Sequence, residues 1–179
     1  IGFDIAAEMI KRGDDSLPVN SSVFVGDAYR IPIQDNSTNV VTTRMVYHHL
    51  PDVKGAVHES KRLLKPGGRL IISEYVAADS RSREFDNVAF QIKEAGRHLW
   101  TGEQLKEIVS SGSFSSVELY FAMLTAYSVR DWMGKSGLSL EKQMKVTDHY
   151  RSAPAYERSK MNIQNIGADT EDSRDVLVD

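Results

Sequence analysis

One stretch decides the fold of this chain: Gly26-Asp-Ala-Tyr-Arg-Ile-Pro-Ile-Gln-Asp-Asn-Ser-Thr-Asn-Val-Val-Thr-Thr-Arg-Met-Val-Tyr-His-His-Leu50. The apolar run 23–25 leads into it and is followed by Asp27. A polar loop, a second apolar run at 40–43 and a pair of histidines come next. Short β-branched runs with polar exits are typical of buried parallel strands. Because α/β sheets bind ligands at the carboxyl ends of such strands, the stretch predicts a pocket at that edge.

Working outward, the pattern extends on both sides of this stretch. Residues 1–5 form an earlier strand that ends near Asp4, followed by a short helix at 6–12 that Gly13 closes. Asp52 is placed to cap a helix that runs to about Lys65, and a strand at 70–72 follows the Pro66-Gly-Gly turn. Residues 40–72 therefore predict a right-handed βαβ crossover.

The second half of the chain predicts a less regular series of elements. They are a part-loop, part-helix segment at 79–94, a helix opened by the capping box of Thr101 and Gln104 and ended by Gly112, a strand at 117–121, a short helix capped by Ser128, one long helix over 140–158, and a strand beginning at 175. No linker divides the chain, so we predict one domain.

Composition excludes several classes of function. The net charge of −3, from 22 basic and 25 acidic residues, provides no positive field for nucleic acid, and we expect no nucleic-acid partner. The chain has no cysteine, which excludes disulfides, thiolate metal sites and cysteine nucleophiles and is compatible with the cytoplasm, where we expect the protein. No apolar run approaches the roughly 18 to 20 residues of a membrane span.

Three features, taken in order, resemble one enzyme family: the strand ending at Asp4, the Asp27-Ala28 step, and the Lys65-Pro-Gly-Gly68 turn before a strand. This order resembles the class I methyltransferases that use S-adenosylmethionine, within the small-molecule branch that contains the ubiquinone and menaquinone biosynthesis methyltransferases. The resemblance covers residues 1–75. It implies a doubly wound, Rossmann-like α/β sheet with a cofactor half at 1–75 and an acceptor-side part at 76–179.

The glycine-rich loop of that family has no counterpart in this sequence. Residues 1–5 correspond to the family's second strand, so we expect an N-terminally truncated domain that is inactive and aggregation-prone by itself. The missing strand would lie between the strands that end at Asp4 and Arg44.

The resemblance implies a set of cofactor contacts. Asp4 would accept hydrogen bonds from both ribose hydroxyls, or else it is only a helix cap. Asp27 and Ala28 would contact the adenine, or else they form an Asx turn that ends the strand. Ile5 is predicted beside Asp4 in the same contact.

A further contact is expected where the strand at 40–43 ends. Arg44 lies where the family places a small polar residue, so its assignment rests on position alone. It would contact the methionine carboxylate, or else it forms a surface ion pair. Met45 is included with it as a cofactor residue.

The acceptor side is predicted around Tyr47, His48, His49 and Glu74. A neutral imidazole can accept a proton during methyl transfer, and His49 is the candidate general base. The alternative is that the His pair serves packing and hydrogen bonding, and a metal site would need further ligands. Tyr47, His48 and Glu74 are assigned to acceptor binding. Four residues either cover an apolar acceptor pocket or belong to the core: Trp100, Tyr127, Trp132 and Met133.

The predicted reaction is transfer of a methyl group from S-adenosylmethionine to a small-molecule acceptor. Two other classes remain open: a nicotinamide-dependent oxidoreductase of Rossmann type, which also has an acidic residue after its second strand, and a non-enzymatic relative that binds a nucleoside or a protein. The sequence determines neither the acceptor nor the oligomeric state.

Overall fold

The computed structural model describes residues 1–14, 17–122, 127–134, 136–166 and 175–178, the side chains at 14, 127, 165, 166 and 175–178 excepted. Its first half is built from two pairs of parallel strands. Strand β1 (Gly2–Asp4) pairs with β2 (Val23–Val25), and β3 (Thr38–Arg44) pairs with β4 (Leu64–Ser73). Within the described residues no ladder joins the two pairs.

Helices connect and cover these strands. They are α1 (Ala7–Asp14), α2 (Val53–Leu63), α3 (Ser80–Lys93), α4 (Gly102–Ser110), α5 (Val129–Gly134), α6 (Leu140–Arg151) and α7 (Ala155–Lys160). A small antiparallel sheet of order β5-β7-β6 follows, made of β5 (Tyr127–Ser128), β6 (Gln164–Ile166) and β7 (Asp175–Val178). Among the described helices, none has the length and apolar character needed to cross a bilayer.

The predicted helix caps are confirmed. Gly55 N donates to Asp52 Oδ1 over 2.9 Å at the start of α2. At α4, Gln104 N donates to Thr101 Oγ1 while Thr101 N donates back to Gln104 Oε1. Asp131 N donates to Ser128 Oγ before α5. Each cap satisfies backbone donors that would otherwise remain unpaired in the first turn.

The first core lies between the strand ends, α2 and α4. Its buried members are Tyr47, Val53, Ala56, Val57, Leu105 and Val109. Ala28 and Tyr29, from the loop after β2, are partly buried against the same cluster. The core therefore ties the β2 loop to the turn that follows β3, although no ladder joins their strands.

The second core joins α3, α5 and α6, and it contains a buried carboxyl group. Asp86 is 1% exposed and accepts from the Tyr75 and Tyr150 hydroxyls over 3.1 and 2.9 Å. Burial raises the pKa of Asp86 to about 6, although both tyrosine hydrogen bonds oppose that change. The sequence pattern did not indicate this cluster, since its three members lie far apart in the chain.

Two sequence predictions of secondary structure are wrong. Residues 117–121 form no strand: no described strand pairs with them, and Tyr120 and Phe121 are 82% and 71% exposed. The predicted helix over 140–158 is two helices, because Pro154 has no N–H to donate and disfavours helical geometry in the residue before it. The chain leaves α6 at Arg151 and re-enters a helix after Pro154.

Smaller boundary differences have local causes. Helix α1 continues through Gly13 to Asp14, so this glycine does not end it. Helix α2 stops at Leu63 because Leu64 already pairs with Thr38 as the first residue of β4. Gly67, within the predicted turn, has a φ of +77°, a conformation that glycine adopts without a Cβ clash. Residues 79–94 are helical from Ser80 to Lys93.

Candidate functional site

Asp4 lies at the carboxyl end of β1, as predicted. Its Oδ1 accepts from Ala6 N over 2.8 Å, which forms a local Asx turn just before α1, since that helix begins at Ala7. Among the described residues, Oδ2 has no hydrogen-bond partner. Asp4 therefore stabilises a local turn before α1 and still presents an acceptor at the strand edge. Ile5 follows it and is 73% exposed.

Asp27 and Ala28 lie beside this position because β1 and β2 are parallel and in register. Gly26 N donates to Asp4 O over 3.0 Å, which extends the pairing past the end of both strands. Asp27 is exposed and accepts from Tyr29 N over 2.9 Å through Oδ1, so the predicted Asx turn is present. Ala28 is half-buried against the first core. The two carboxylates thus share one edge.

Arg62 of α2 holds the loop after β2, a role that sequence reasoning missed. Its guanidinium donates to Ile31 O and Ile33 O over 2.8 Å each and pairs with Glu59 and Asp35. Glu59 in turn accepts from Ile31 N over 2.6 Å, and the Arg62 hydrogen bond lowers the pKa of Glu59. A Glu-x-x-Arg pair on a helix face is the only signal in the sequence, and it is typical of solvated helices too.

A depression of about 630 Å³ opens beside Asp27. It is lined by Val25, Gly26, Asp27, Arg30, Ile31, Pro32, Glu59 and Arg62. Asp4, Ala28 and Arg44 are not among its walls. The depression therefore follows the packing of the loop on α2 and includes Asp27 among the predicted cofactor contacts, but not Asp4, Ala28 or Arg44.

Arg44 and Met45 close the end of β3. Arg44 is exposed and pairs in register with Ser73, and Met45 N donates to Ser73 O over 2.8 Å. Met45 has a φ of +55°, in the left-handed region that a side chain rarely adopts. Such strain costs on the order of 1 to 3 kcal/mol and clusters at functional sites. The strained residue lies two positions before the histidine turn Tyr47–His49.

The turn Tyr47–His49 is a single 3-10 turn whose His48 meets Glu74 from the end of β4. His48 Nδ1 and Glu74 Oε1 are 2.7 Å apart, with the two side chains 4% and 2% exposed. Glu74 also accepts from Tyr47 N over 2.8 Å and from Tyr75 N over 3.0 Å. The β3–β4 pairing places these predicted acceptor residues in direct contact.

His49 has a different environment. Its Nε2 lies 3.1 Å from Arg97 Nη2, and its Nδ1 lies 3.5 Å from Glu94 Oε1. Burial is the main cause that lowers the pKa of His49, and the Arg97 charge adds to it. Both ring nitrogens therefore face charged neighbours. The assignment of His49 as the base stays a prediction.

The four residues proposed to cover the acceptor do not behave alike. Met133 is completely buried in the second core. Trp132 is partly buried, with Lys93 Nζ 4.4 Å from its ring centre and Phe90 5.0 Å away. Trp100 packs against the first core. The side chain of Tyr127 lies outside the described residues.

The nucleoside end of S-adenosylmethionine fits these residues. Asp4 and Asp27 lie at one edge, and each has a carboxylate oxygen that accepts from no described residue. Asp4 could accept from the ribose hydroxyls and Asp27 from the exocyclic amine of adenine. The small side chain of Ala28 would leave room for a flat ring. Arg44 would hold the methionine carboxylate.

Comparison with known proteins agrees with this geometry. Residues 1–72 match the family model described as a methyltransferase domain. The match covers less than half of the chain. The match confirms the predicted resemblance to class I methyltransferases. The Rossmann-like fold that this resemblance implies is confirmed by the solved structures.

The chain is 26% identical to an arsenite methyltransferase of Halobacterium salinarum over 140 residues, 74% of this chain and 35% of that protein. It is 32% identical to a ubiquinone/menaquinone biosynthesis C-methyltransferase of Pseudomonas aeruginosa over 96 residues, 50% of this chain and 38% of that one. The chain thus spans little more than a third of either relative.

The crystal structure of a putative methyltransferase from Bacillus halodurans superposes with a TM-score of 0.79 at 22% identity. The superposition covers 98% of this chain and 76% of the other. This similarity establishes the Rossmann-like α/β fold along nearly the whole chain.

Proposed function

We propose that the protein transfers a methyl group from S-adenosylmethionine to a small-molecule acceptor. The observation that carries the proposal is the shared edge of β1 and β2, where Asp4 and Asp27 lie side by side with Gly26 N bonded to Asp4 O. The arsenite and quinone substrates in the names of the relatives support a small acceptor. A cytoplasmic location, and a single domain with its cofactor half at 1–75, are part of the same proposal.

The protein's main contribution in such a reaction is alignment. S-adenosylmethionine, when bound, supplies an electrophilic methyl group on a sulfonium. Asp4 and Asp27 would anchor the nucleoside, Arg44 the methionine carboxylate, and the residues after β3 and β4 would orient the acceptor. Orientation of this kind contributes about 7 to 11 kcal/mol in favourable cases.

Asp4→Ala is expected to weaken binding of S-adenosylhomocysteine at least tenfold. Loss of a charge-assisted hydrogen bond costs about 1.5 to 3 kcal/mol, which is roughly tenfold or more in affinity. Isothermal titration calorimetry of the full-length gene product measures the change. Asp4→Asn keeps an acceptor for Ala6 N but removes the charge, so it separates ribose binding from the local turn before α1.

Glu8→Ala is the matched control, because Glu8 is an exposed acid on α1 that pairs only with Lys11 among the described residues. Its affinity should equal that of the unmodified protein. An Asp4→Ala protein that folds normally and binds as tightly as this control would refute the ribose assignment. Titration with NAD tests the oxidoreductase alternative, and we expect no heat of binding.

A further inference from the structure

We infer, on the basis of the proposed function, that His48 is the general base of methyl transfer and that Glu74 positions it. The reacting atom of the acceptor would then carry a proton, as in a hydroxyl, a thiol or a ring N–H. This inference assigns the general base to His48 and not to His49. It also limits the acceptors to those whose reacting atom carries a proton.

The first argument is the tautomer that Glu74 imposes. Three donors converge on its two oxygens: Tyr47 N, Tyr75 N and His48 Nδ1, at 2.8, 3.0 and 2.7 Å. A carboxylate can only accept hydrogen bonds, so all three groups donate to Glu74. Nδ1 therefore carries the proton, and Nε2 holds the lone pair that a base needs.

The second argument is the rigidity of the ring. His48 O accepts from His98 N over 3.0 Å, which fixes the backbone. The ring lies 4.2 Å from the His49 ring and meets Phe90 edge-on at 6.2 Å, measured between centres. No described residue forms a hydrogen bond with Nε2. The Nε2 lone pair of His48 therefore has a fixed direction, and no described residue donates to it.

His49 does not meet the same requirements. A guanidinium can only donate, so Arg97 Nη2 occupies the Nε2 lone pair of His49 at 3.1 Å. Its ring is also about a third exposed, which leaves it open to water. The charged and titratable groups around the pair divide accordingly: Glu74 faces His48, whereas Arg97 and Glu94 face His49.

The proton transfer that follows is balanced. As the acceptor atom forms its bond to the methyl carbon, the carbon–sulfur bond breaks and its electron pair stays on sulfur. The proton of the acceptor passes to His48 Nε2. The resulting imidazolium is stabilised by the Glu74 carboxylate through Nδ1–H, and the proton reaches solvent when the product leaves.

The first experiment reads the tautomer and needs no acceptor. Long-range 1H–15N correlation spectra of histidine-labelled protein at pH 7 should show His48 protonated at Nδ1 and unprotonated at Nε2. In Glu74→Gln the amide cannot accept from all three donors, and we expect mixed tautomers. An Nε2–H tautomer in the unmodified protein would overturn the inference, whatever the outcome of cofactor binding.

The second experiment reads the reaction with defined probes. Catechol, thiophenol and imidazole carry a proton on the nucleophile, whereas trimethylamine and dimethyl sulfide do not. We expect S-adenosylhomocysteine release with the first group only, reduced about 100- to 10,000-fold in His48→Gln. Equal rates in His48→Gln, or comparable turnover of the proton-free probes, would refute the role.

Two controls separate this inference from the proposed function. His58→Gln changes an exposed histidine of α2 whose Nδ1 contacts only Lys54 O, and it should leave the rate unchanged. Calorimetry with S-adenosylmethionine should give the same affinity in His48→Gln as in the unmodified protein. Absence of cofactor binding in the unmodified protein would contradict the proposed function, while the tautomer would still report on the His48–Glu74 pair.

Discussion

Replacing Tyr150 with alanine is expected to lower the free energy of unfolding by about 3 to 5 kcal/mol. Tyr150 is completely buried, and its hydroxyl donates to Asp86 across the contact between α6 and α3. The substitution leaves a cavity and removes one of two donors from a buried carboxyl group. Urea denaturation followed by the fluorescence of the two tryptophans measures the loss.

Tyr150→Phe removes only the hydroxyl group that donates to Asp86. Its effect on the free energy of unfolding should depend on pH, because Asp86 is titratable. The Asp86 pKa of about 6 in the folded chain lies above its ordinary value of 3.8, so the folded chain binds this proton more tightly. Stability should therefore fall as pH rises between about 4 and 6, by roughly 3 kcal/mol for that difference in pKa. Without the Tyr150 donor the pKa rises further, and the decline should continue to higher pH.

The phenylalanine variant should therefore lose about 1 to 3 kcal/mol at pH 8 and less at pH 4.5. Asp86→Asn, which has no titrating group, should remove the decline between pH 4 and 6. An equal loss for Tyr150→Phe at both pH values would contradict this account of Asp86. A Tyr150→Ala protein as stable as the unmodified chain would contradict the packing account.

Ala28→Leu is expected to weaken the binding of S-adenosylmethionine more than a hundredfold. Ala28 is half-buried between the first core and the edge where the adenine would lie. A leucine side chain must either enter that core or cover the edge, and overpacking costs typically 1 to 3 kcal/mol in addition to blocking the ring. Calorimetry measures affinity, and circular dichroism confirms folding.

Two further variants serve as a control and as a milder change for comparison. Ala78→Leu adds the same carbon atoms at an exposed position after β4 and should bind as the unmodified protein does. Asp27→Asn changes one acceptor into a mixed amide and should weaken binding less than Ala28→Leu. Tight binding by a folded Ala28→Leu protein would show that the adenine lies elsewhere.

Several features were predictable because they depend on residues close in sequence. The Asp52 cap and the Thr101–Gln104 capping box involve backbone donors three residues away, so residue type and spacing are sufficient. The positions of Asp4 at the end of β1 and of Asp27 in the loop after β2 were predictable, because each follows a short apolar run. Residues 117–121 have the same alternation, but a strand also needs a partner, which alternation does not reveal.

By itself, the sequence indicated most of the local elements, the resemblance of residues 1–75 to methyltransferases and the candidates Asp4, Asp27, His48 and Glu74. Only the tertiary structure shows which residues that are distant in sequence are in contact. The register of β3 on β4 brings Glu74 to His48 across 26 positions, and helix packing brings Tyr150 to Asp86 across 64. Such contacts depend on strand register and helix orientation, which arise from the packing of the whole core and not from the propensity of any residue.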